Sequence, residues 1–241
     1  PQGSTLANVL GFSNVDNEGL EGIELSMDHF LRGKPGKRIT KRDAKGREIR
    51  AFEITMLPVV HGSTVVLTID QHLQYLTEKA LETAYTKWKA KAAWAVVMDP
   101  KTGELLAIAN RPTFDPNEYD RSSTDVRRNR AITDMYEPGS VFKIVAASGA
   151  LNEGVVTPDS TFFCENGKWN YGVKTLRDVH AYGTLTMEQV IIKSSNIGTV
   201  KMALKMKRDQ LQDYIRGFGF GALTGVDMKG EAPGYTRPPS Q

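Results

Sequence analysis

Two side chains of the sequence have the types and spacing of a nucleophile with its own base: Ser140 and, three residues later, Lys143. Pro138-Gly139 stands directly before the serine, so we expect a helix to begin there, with both side chains on one face. The N-terminus of that helix would present unpaired N–H groups and a positive dipole end to a developing oxyanion. Apolar residues on both sides of Lys143 favour a desolvated amine, as a general base requires. Taken alone, the motif fits an N-capping serine beside a surface lysine equally well.

A second polar pair, Ser194 and Asn196, is expected at the end of an apolar helix. The capping pair Thr186 and Gln189 predicts where that helix begins, and its apolar residues continue through Ile192. The hydroxyl can relay a proton, and the amide can bind a substrate amide through one donor and one acceptor. The same residues also fit a C-terminal helix cap with the asparagine in a left-handed conformation, and taken alone they favour that cap.

The remaining reactive residue types predict no cofactor and no metal site. The four histidines have no ligand spacing: His29, His61, His72 and His180. Cys164 is the single cysteine of the sequence, which excludes an internal disulfide, and we expect a buried or loop thiol. The sequence has neither a glycine-rich phosphate loop nor a dinucleotide-binding fingerprint.

The composition is that of an ordinary globular chain and excludes several classes of protein. The 241 residues include 31 basic and 28 acidic side chains, and the resulting net charge of +3 gives no support to nucleic-acid binding. Hydrophobic residues make up 40%, but no apolar run approaches about 18 residues, so no membrane span is expected in this sequence. Pro1 opens inside sequence of folded character, so we expect no leader peptide.

A change in the sequence pattern near residue 62 indicates two domains. Residues 1–62 are rich in glycine and charge, and short strands are expected in them, for example at 49–58. The basic run at 34–50 is interleaved with Asp43 and Glu48, which favours a solvated hairpin over a polyanion-binding surface.

From residue 63 strands and helices follow one another. A β-branched strand at 64–69 is expected to lead into a helix capped by Asp70, and two central, largely buried strands at 94–98 and 104–109 are expected to form a hairpin. An irregular polar segment is predicted at 113–136. Helices are then expected at 141–151, 186–194, 200–206 and 211–215. This order favours an α+β fold over a doubly wound parallel sheet.

S-x-x-K followed by S-x-N is the signature of the serine acyl-transferases that include penicillin-binding proteins and β-lactamases. Further segments in that family's order cover nearly the whole chain: GLEGIE (19–24), LRGKPG (31–36), VVLTID (65–70), DPKTGELLAIANRPTFDPN (99–117), RNRAITDMYEPGSVFK (128–143), KSSNIG (193–198) and FGFGALTG (218–225). On these segments the sequence resembles a class B penicillin-binding protein, most of all the septal, FtsI-like branch, with elongation and sporulation paralogues as alternatives.

The resemblance implies a fold for each domain. Residues 1–62 would be the end of a β-rich, non-catalytic pedestal domain. Residues 63–241 would be the first part of the transpeptidase domain, an antiparallel sheet flanked by helices with a helical subdomain, as in penicillin-binding proteins and serine β-lactamases.

The resemblance also implies an activity, that of a peptidoglycan D,D-transpeptidase. Ser140 would attack the D-Ala-D-Ala carbonyl of a stem peptide, and Lys143 would take the serine proton. Ser194 would relay a proton toward the leaving amine, and Asn196 would bind the substrate or an acylated β-lactam. An amine from a neighbouring stem peptide would then resolve the acyl-enzyme, and penicillins would acylate Ser140 as mimics of the donor.

Location and partners follow from the same resemblance. The enzyme would act in cell-wall synthesis and cell division, on the extracytoplasmic face of the bacterial cytoplasmic membrane, held by an N-terminal helix that this chain does not contain. Its ligands would be stem peptides and β-lactam antibiotics. Its protein partners would be a SEDS-type peptidoglycan polymerase and divisome membrane proteins, with no nucleic acid.

One motif of the family is out of order. A Lys-Thr-Gly strand should follow S-x-N and supply an oxyanion-hole donor, but the sequence has Lys-Thr-Gly only at Lys101–Gly103, where we expect a hairpin turn. We therefore expect this chain to be a piece of a longer enzyme. Two alternatives remain: a serine β-lactamase, which the pedestal-like segments argue against, and a non-catalytic penicillin-binding or divisome-assembly protein, which the complete S-x-x-K and S-x-N motifs argue against.

Overall fold

The computed structural model describes residues 3–238, and for 48 and 50–55 the description is limited to the backbone. The described chain forms two compact units. The first takes in the chain up to Asp134 together with Val226–Glu231, and the second takes in Met135–Gly225 together with the residues from Ala232 onward. Both units mix helices with antiparallel strand pairs, as an α+β fold requires.

The helices and strands have the following bounds. The helices are α1 (Ala7–Leu10), α2 (Gly22–Ser26), α3 (Asp28–Leu31), α4 (Gln71–Trp88), α5 (Thr124–Arg127), α6 (Arg130–Thr133), α7 (Lys143–Asn152), α8 (Met187–Ile192), α9 (Asn196–Ala203) and α10 (Arg208–Gly217). The strands are β1 (Lys37–Arg42), β2 (Glu48–Leu57), β3 (Ala93–Met98), β4 (Leu105–Arg111), β5 (Thr161–Phe163), β6 (Lys168–Tyr171), β7 (Lys174–Arg177) and β8 (Thr184–Thr186). The pairs β1–β2, β3–β4, β5–β8 and β6–β7 are each antiparallel.

The hairpin expected in the basic run is β1–β2. Its turn is closed by Asp43, whose Oδ1 accepts the backbone N–H of Lys45 at 2.8 Å and of Arg47 at 2.9 Å. The Arg47 Nε atom lies 2.9 Å from Asp43 Oδ2, so acidic and basic side chains pair within the turn. The pairing agrees with a solvated hairpin surface.

The long helix α4 begins where the sequence predicts. The Asp70 carboxylate accepts the backbone N–H of Leu73 at 2.8 Å and caps the helix. One turn later the buried Gln74 lies against β4, where its amide both accepts from Ile108 N, at 2.8 Å, and donates to Ile108 O, at 2.9 Å. The Gln74 side chain therefore joins α4 to β4 through one donor and one acceptor, as the peptide group of a neighbouring strand would.

The strand expected at 64–69 is wrong, since these residues form no ladder. They have irregular conformation, with Val65, Leu67 and Ile69 packed against the buried cluster that contains Ile108 of β4. At the end of the segment the Asp70 N–H donates to Leu106 O at 2.9 Å. The apolar side chains of this segment therefore pack in the core although the segment is not a strand.

The β3–β4 hairpin is confirmed, with Val96 opposite Ile108. Ile108 is buried, but Val96 and Met98 are 47% and 53% exposed, so the expectation that both strands are largely buried is wrong for β3. Lys101–Gly103 forms the connecting turn, in which Gly103 donates to Asp99 O at 2.8 Å with a φ of +80°. This position confirms the Lys-Thr-Gly sequence as a turn.

The second unit is organised around one apolar core. Ala150 of α7, Val190 of α8, and Ile197 and Met202 of α9 are fully buried in it. Gly198 permits the close approach of α9 to α8, because a Cβ there would lie 2.5 Å from Val190 Cγ2. The predicted helices of this region are all present, and the segment expected to be irregular before them contains the short helices α5 and α6.

Among residues 3–238, no helix combines the length and the apolar character needed to span a bilayer.

Candidate active site

Ser140 lies at the start of a helix, as its position after Pro138-Gly139 predicts. Gly139–Phe142 forms a 3₁₀ turn that runs directly into α7, whose first residue is Lys143. Gly139 has a φ of +64°, the left-handed region in which glycine is favoured, and Ser140 is exposed.

The surroundings of Lys143 differ in part from the prediction. Val145 is buried, but Val141 and Ile144 are 66% and 55% exposed, so these two apolar neighbours do not cover the amine as expected. The sequence shows their hydrophobicity but not which helix face packs on the core. The lysine is instead half-buried beside the α8–α9 connection.

A chain of hydrogen bonds joins the three predicted site residues Lys143, Ser194 and Ser140. Lys143 Nζ donates to Ser194 Oγ at 2.8 Å, and Ser194 Oγ donates to Ser140 Oγ at 2.9 Å. Lys143 Nζ also donates to the Ser194 carbonyl oxygen at 2.5 Å. Within residues 3–238 no direct hydrogen bond joins the amine to Ser140, so Ser194 connects the two residues of the S-x-x-K motif.

Ser194 reaches this position because it adopts the left-handed conformation, with a φ of +53°. The alternative interpretation, a helix cap with Asn196 in the left-handed conformation, is wrong, because the left-handed residue is Ser194. Ser195 instead caps α9, accepting the Gly198 N–H at 2.9 Å, and Asn196 is the first residue of the helix. The end of α8 and the start of α9 are therefore joined through Ser194, Ser195 and Asn196. The left-handed conformation of Ser194 in this connection directs its Oγ toward Ser140.

Asn196 is exposed, but its amide is not part of the hydrogen-bonded chain. Its Nδ2 donates to the Arg177 carbonyl oxygen at 2.8 Å, at the end of β7. No described residue donates to its Oδ1, which leaves an oriented acceptor at the surface. The structure therefore brings together Ser140, Lys143 and Ser194 and holds Asn196 beside them through the backbone of the same motif.

Asp178, which the sequence analysis did not single out, binds the middle of the S-x-N motif. Its Oδ2 accepts the Ser195 hydroxyl at 2.6 Å, and its Oδ1 accepts the backbone N–H of Asn196 at 2.5 Å and of Ile197 at 3.1 Å. Cys164 Sγ lies 3.4 Å from Ser195 Oγ and is fully buried, which confirms the expectation of a buried thiol. No local sequence pattern marks Asp178, because its partners are 17 to 19 residues away.

Opposing effects act on the charge of Lys143. Burial lowers the pKa of its amine below the usual value, because a charged group loses solvation there, and the negative charge of Asp178 opposes this shift. A lowered pKa increases the share of neutral amine, the form that accepts a proton. No group of three or more possible metal ligands occurs among the described His, Cys, Asp and Glu residues.

The arrangement can support nucleophilic catalysis at Ser140. With the amine neutral, the two hydroxyl hydrogens can rotate so that Ser140 Oγ donates to Ser194 Oγ and Ser194 Oγ donates to Lys143 Nζ. The two protons can then shift along these bonds, from Ser140 Oγ to Ser194 Oγ and from Ser194 Oγ to Lys143 Nζ. The result is a serine alkoxide in contact with solvent and an ammonium held by the Ser194 carbonyl oxygen. Such a site suits acyl transfer.

Two family models match the sequence. The penicillin-binding protein transpeptidase domain matches residues 93–241, and the penicillin-binding protein dimerisation domain matches residues 3–67.

Curated relatives are more than a third identical to the chain over the aligned residues. The peptidoglycan D,D-transpeptidase FtsI of Escherichia coli is 38% identical over 234 residues, which are 97% of this chain and 39% of that protein. The stage V sporulation protein D of Bacillus subtilis is 36% identical over 241 residues, 99% of this chain and 37% of that protein. The chain therefore spans about two fifths of the length of these relatives.

Solved structures show the same fold. Penicillin-binding protein 3 of Mycobacterium tuberculosis, in complexes with aztreonam and with ampicillin, superposes with a TM-score of 0.83 at 36% identity, covering 100% of this chain and 50% of that one. Penicillin-binding protein 2X of Streptococcus thermophilus superposes with a TM-score of 0.83 at 27% identity, covering 98% of this chain and 37% of that one. With both family models, these relatives and this fold in agreement, the chain belongs to the penicillin-binding protein transpeptidases that carry a dimerisation domain.

Proposed function

We propose that the protein is a peptidoglycan D,D-transpeptidase and that this chain holds its nucleophile. The observation that carries the proposal is the hydrogen-bonded order Lys143 Nζ, Ser194 Oγ, Ser140 Oγ, at 2.8 and 2.9 Å. Relatives named peptidoglycan D,D-transpeptidases, at 38% identity in E. coli and 34% in Neisseria meningitidis, supply the substrate class.

In the proposed reaction Ser140 Oγ attacks the carbonyl carbon of the penultimate D-Ala. Its proton passes to Ser194 Oγ as the Ser194 proton passes to Lys143 Nζ. When the C–N bond breaks, the Lys143 ammonium returns a proton to Ser194 Oγ while the Ser194 hydroxyl proton passes directly to the leaving D-Ala nitrogen. An amine of a second stem peptide then attacks the acyl-serine ester and gives its proton through Ser194 Oγ to Lys143 Nζ. As the ester C–O bond breaks, a proton returns through Ser194 Oγ to Ser140 Oγ and restores the free serine.

Asn196 is proposed to orient the acyl group. Its Nδ2 is held by the Arg177 carbonyl oxygen, so its Oδ1 has a fixed direction and can accept an N–H of the donor peptide. A β-lactam presents the same carbonyl and amide, and we propose that it acylates Ser140 by opening its ring. The M. tuberculosis relative has been solved with two β-lactams.

The biological setting is proposed from the named relatives. We propose a role in cell division on the similarity to FtsI of E. coli. The extracytoplasmic location, the N-terminal anchor, and a SEDS-type polymerase and divisome proteins as partners are proposed from the family resemblance. The B. subtilis sporulation protein supports a sporulation role as the alternative. We keep residues 1–62 as the pedestal and 63–241 as the transpeptidase part, and assign no catalytic role to the turn at Lys101–Gly103.

The test is intact mass spectrometry of the protein that carries this chain, before and after incubation with benzylpenicillin, followed by peptide mapping. We expect a single penicilloyl adduct on Ser140 that is absent in Ser140→Ala. Ser148→Ala is the matched control, because this serine lies on the same helix with its hydroxyl bonded to the Ile144 carbonyl oxygen, and it should keep the adduct.

The other outcomes separate the alternatives. An adduct lost within seconds by hydrolysis would indicate a serine β-lactamase. A protein that forms no adduct but retains reversible β-lactam binding would contradict the proposed activity and indicate a non-catalytic binding role.

A further inference from the structure

The S-x-N motif has a conformation that its own residues do not favour. Ser194 is a non-glycine residue at a φ of +53°, a region that L-amino acids avoid for steric reasons. Its hydroxyl must nevertheless stay within hydrogen-bond distance of both Lys143 and Ser140. Part of the constraint comes from α8, since the Ser194 N–H donates to Ile191 O at 3.0 Å and the Ser195 N–H to Val190 O at 2.9 Å. The constraint on the other side of Ser194 comes from outside both helices.

That second constraint is Asp178. Its carboxylate accepts from three consecutive residues, namely the side chain of Ser195 and the backbone N–H groups of Asn196 and Ile197. The preceding residue, Arg177, holds the Asn196 amide through its carbonyl oxygen at 2.8 Å. One dipeptide at the end of β7 thus fixes the segment that follows Ser194.

A simple helix cap does not account for this arrangement. Ser195 already caps α9 by accepting the Gly198 N–H at 2.9 Å. Asp178 is a second acceptor that adds a negative charge, and that charge acts on Lys143 of the neighbouring helix. Two other ionisable side chains on helices packed against α7 have partners of their own. Lys201 of α9 is paired with Glu165 at 2.5 Å, and the Tyr214 hydroxyl of α10 donates to Glu153 at 2.8 Å.

We propose that Asp178 is the positioning residue of this active site: it holds the S-x-N turn so that Ser194 bridges Lys143 and Ser140. Its negative charge also moves the pH range in which Lys143 acts as base upward, against the effect of burial. The inference rests on the proposed function, because it treats Ser140 acylation as the reaction being positioned. The two parts of the role are separable by substitution.

Asp178→Asn removes the charge and preserves most of the geometry. The amide oxygen can still accept from Asn196 and Ile197, and the amide nitrogen can donate to Ser195 Oγ. Since the carboxylate opposes the lowering of the Lys143 pKa, its removal should lower that pKa further. The rising limb of Ser140 acylation against pH should therefore move to lower pH.

Asp178→Ala removes all three hydrogen bonds as well as the charge. The Ser194 hydroxyl then loses its fixed position, and a displacement of about 1 Å in a reacting group costs about 100-fold in rate. We expect acylation to fall by about that factor at every pH. The matched control is Asp159→Asn, which makes the same change at an exposed aspartate of the same unit and should leave both rate and pH profile as in the unsubstituted protein.

The experiment measures benzylpenicillin acylation of Ser140 against pH in the unsubstituted protein and the three variants, with thermal unfolding of each. In parallel, the Lys143 amine is titrated by NMR of ¹³C-methylated lysines, assigned with Lys143→Arg. An Asp178→Asn variant with the acylation midpoint and the Lys143 titration of the unsubstituted protein would overturn the inference. So would a loss of acylation in Asp178→Ala that follows the loss of folded protein, with no shift of either midpoint in Asp178→Asn.

Failure of the proposed function has a different signature. If the unsubstituted protein shows no adduct on Ser140, the proposed function is contradicted, and the Lys143 titration still decides whether Asp178 acts on that amine. An unshifted titration in Asp178→Asn then overturns the inference as well.

Discussion

Lys143 contacts Ser194 twice, because its Nζ donates both to the carbonyl oxygen, at 2.5 Å, and to the hydroxyl, at 2.8 Å. The two contacts have different uses. The carbonyl contact orients the amine, whereas the hydroxyl contact continues to Ser140 Oγ, which lies 2.9 Å from Ser194 Oγ. Position and proton transfer are therefore supplied by different atoms of one residue, and substitution can separate them.

Ser194→Ala should remove proton transfer and leave the lysine in place. The carbonyl oxygen still accepts from Lys143 Nζ, so we expect little change in thermal unfolding. The path from Ser140 to the amine is interrupted, and acylation by benzylpenicillin should fall by about 10²- to 10⁴-fold, the usual contribution of a positioned proton-transfer group. Stopped-flow or quenched mass spectrometry measures the rate. Acylation at the unsubstituted rate would show that the proton leaves Ser140 by another route.

The pH dependence of acylation should follow the titration of Lys143. Because burial lowers the pKa of its amine, the neutral form begins to accumulate at lower pH than for a free lysine, whose pKa is 10.5. The acylation rate should rise with pH through that lowered pKa, as the ammonium loses its proton. Acylation rates measured from neutral to alkaline pH give the midpoint.

Lys143→Arg should abolish this pH dependence, since a guanidinium stays charged and cannot accept the proton. We expect a loss of about 10²- to 10⁴-fold at every pH. Lys205→Arg is the matched control: it is exposed, with Nζ 5.4 Å from the Phe162 ring centroid, and should keep the unsubstituted rate. A Lys143→Arg variant that retains a rising limb with the same midpoint would assign the titration to another group.

Gly198→Ala should disturb the site through packing alone. The added methyl would lie 2.5 Å from Val190 Cγ2, in a fully buried contact between α8 and α9. Overpacking of this kind costs about 1–3 kcal/mol of the free energy of unfolding, and separation of the two helix ends should displace Ser194. Denaturant titration measures the first effect and the acylation rate the second.

Gly217→Ala provides the control for that substitution, because it also lies in a helix but has open space at its Cβ position. It should be neutral or slightly stabilising, as alanine is favoured over glycine in helices. Equal stability of the two variants would mean that α8 and α9 can move apart without cost.

Local signals in the sequence were sufficient for several parts of the fold and site. Asp70 and the pair Thr186–Gln189 cap helices through groups within three residues, so their chemistry is visible in the sequence. Pro138-Gly139 placed the helix start at Ser140 for the same reason. Pairing of β3 with β4 followed from two short strands and the intervening turn.

Features set by distant partners were not predictable in this way. The left-handed residue is Ser194 and not Asn196, because the backbone there is constrained by α8 on one side and by Asp178 on the other. Residues 64–69 have strand-like composition but pack beside β4 without pairing to it. A single sequence shows which residues are hydrophobic or polar; it does not show which segment will lie against them.

The contact between Gln74 and Ile108 limits which edge of the β3–β4 sheet can pair with a further strand. Outward-facing backbone groups of β4 are already occupied: Leu106 O by the Asp70 N–H, Ile108 by the Gln74 amide, and Asn110 O by Arg111 Nη1 at 2.7 Å. These contacts occupy backbone groups that a further strand would need for a ladder with β4. At these positions a further strand would have to pair with β3 instead of β4.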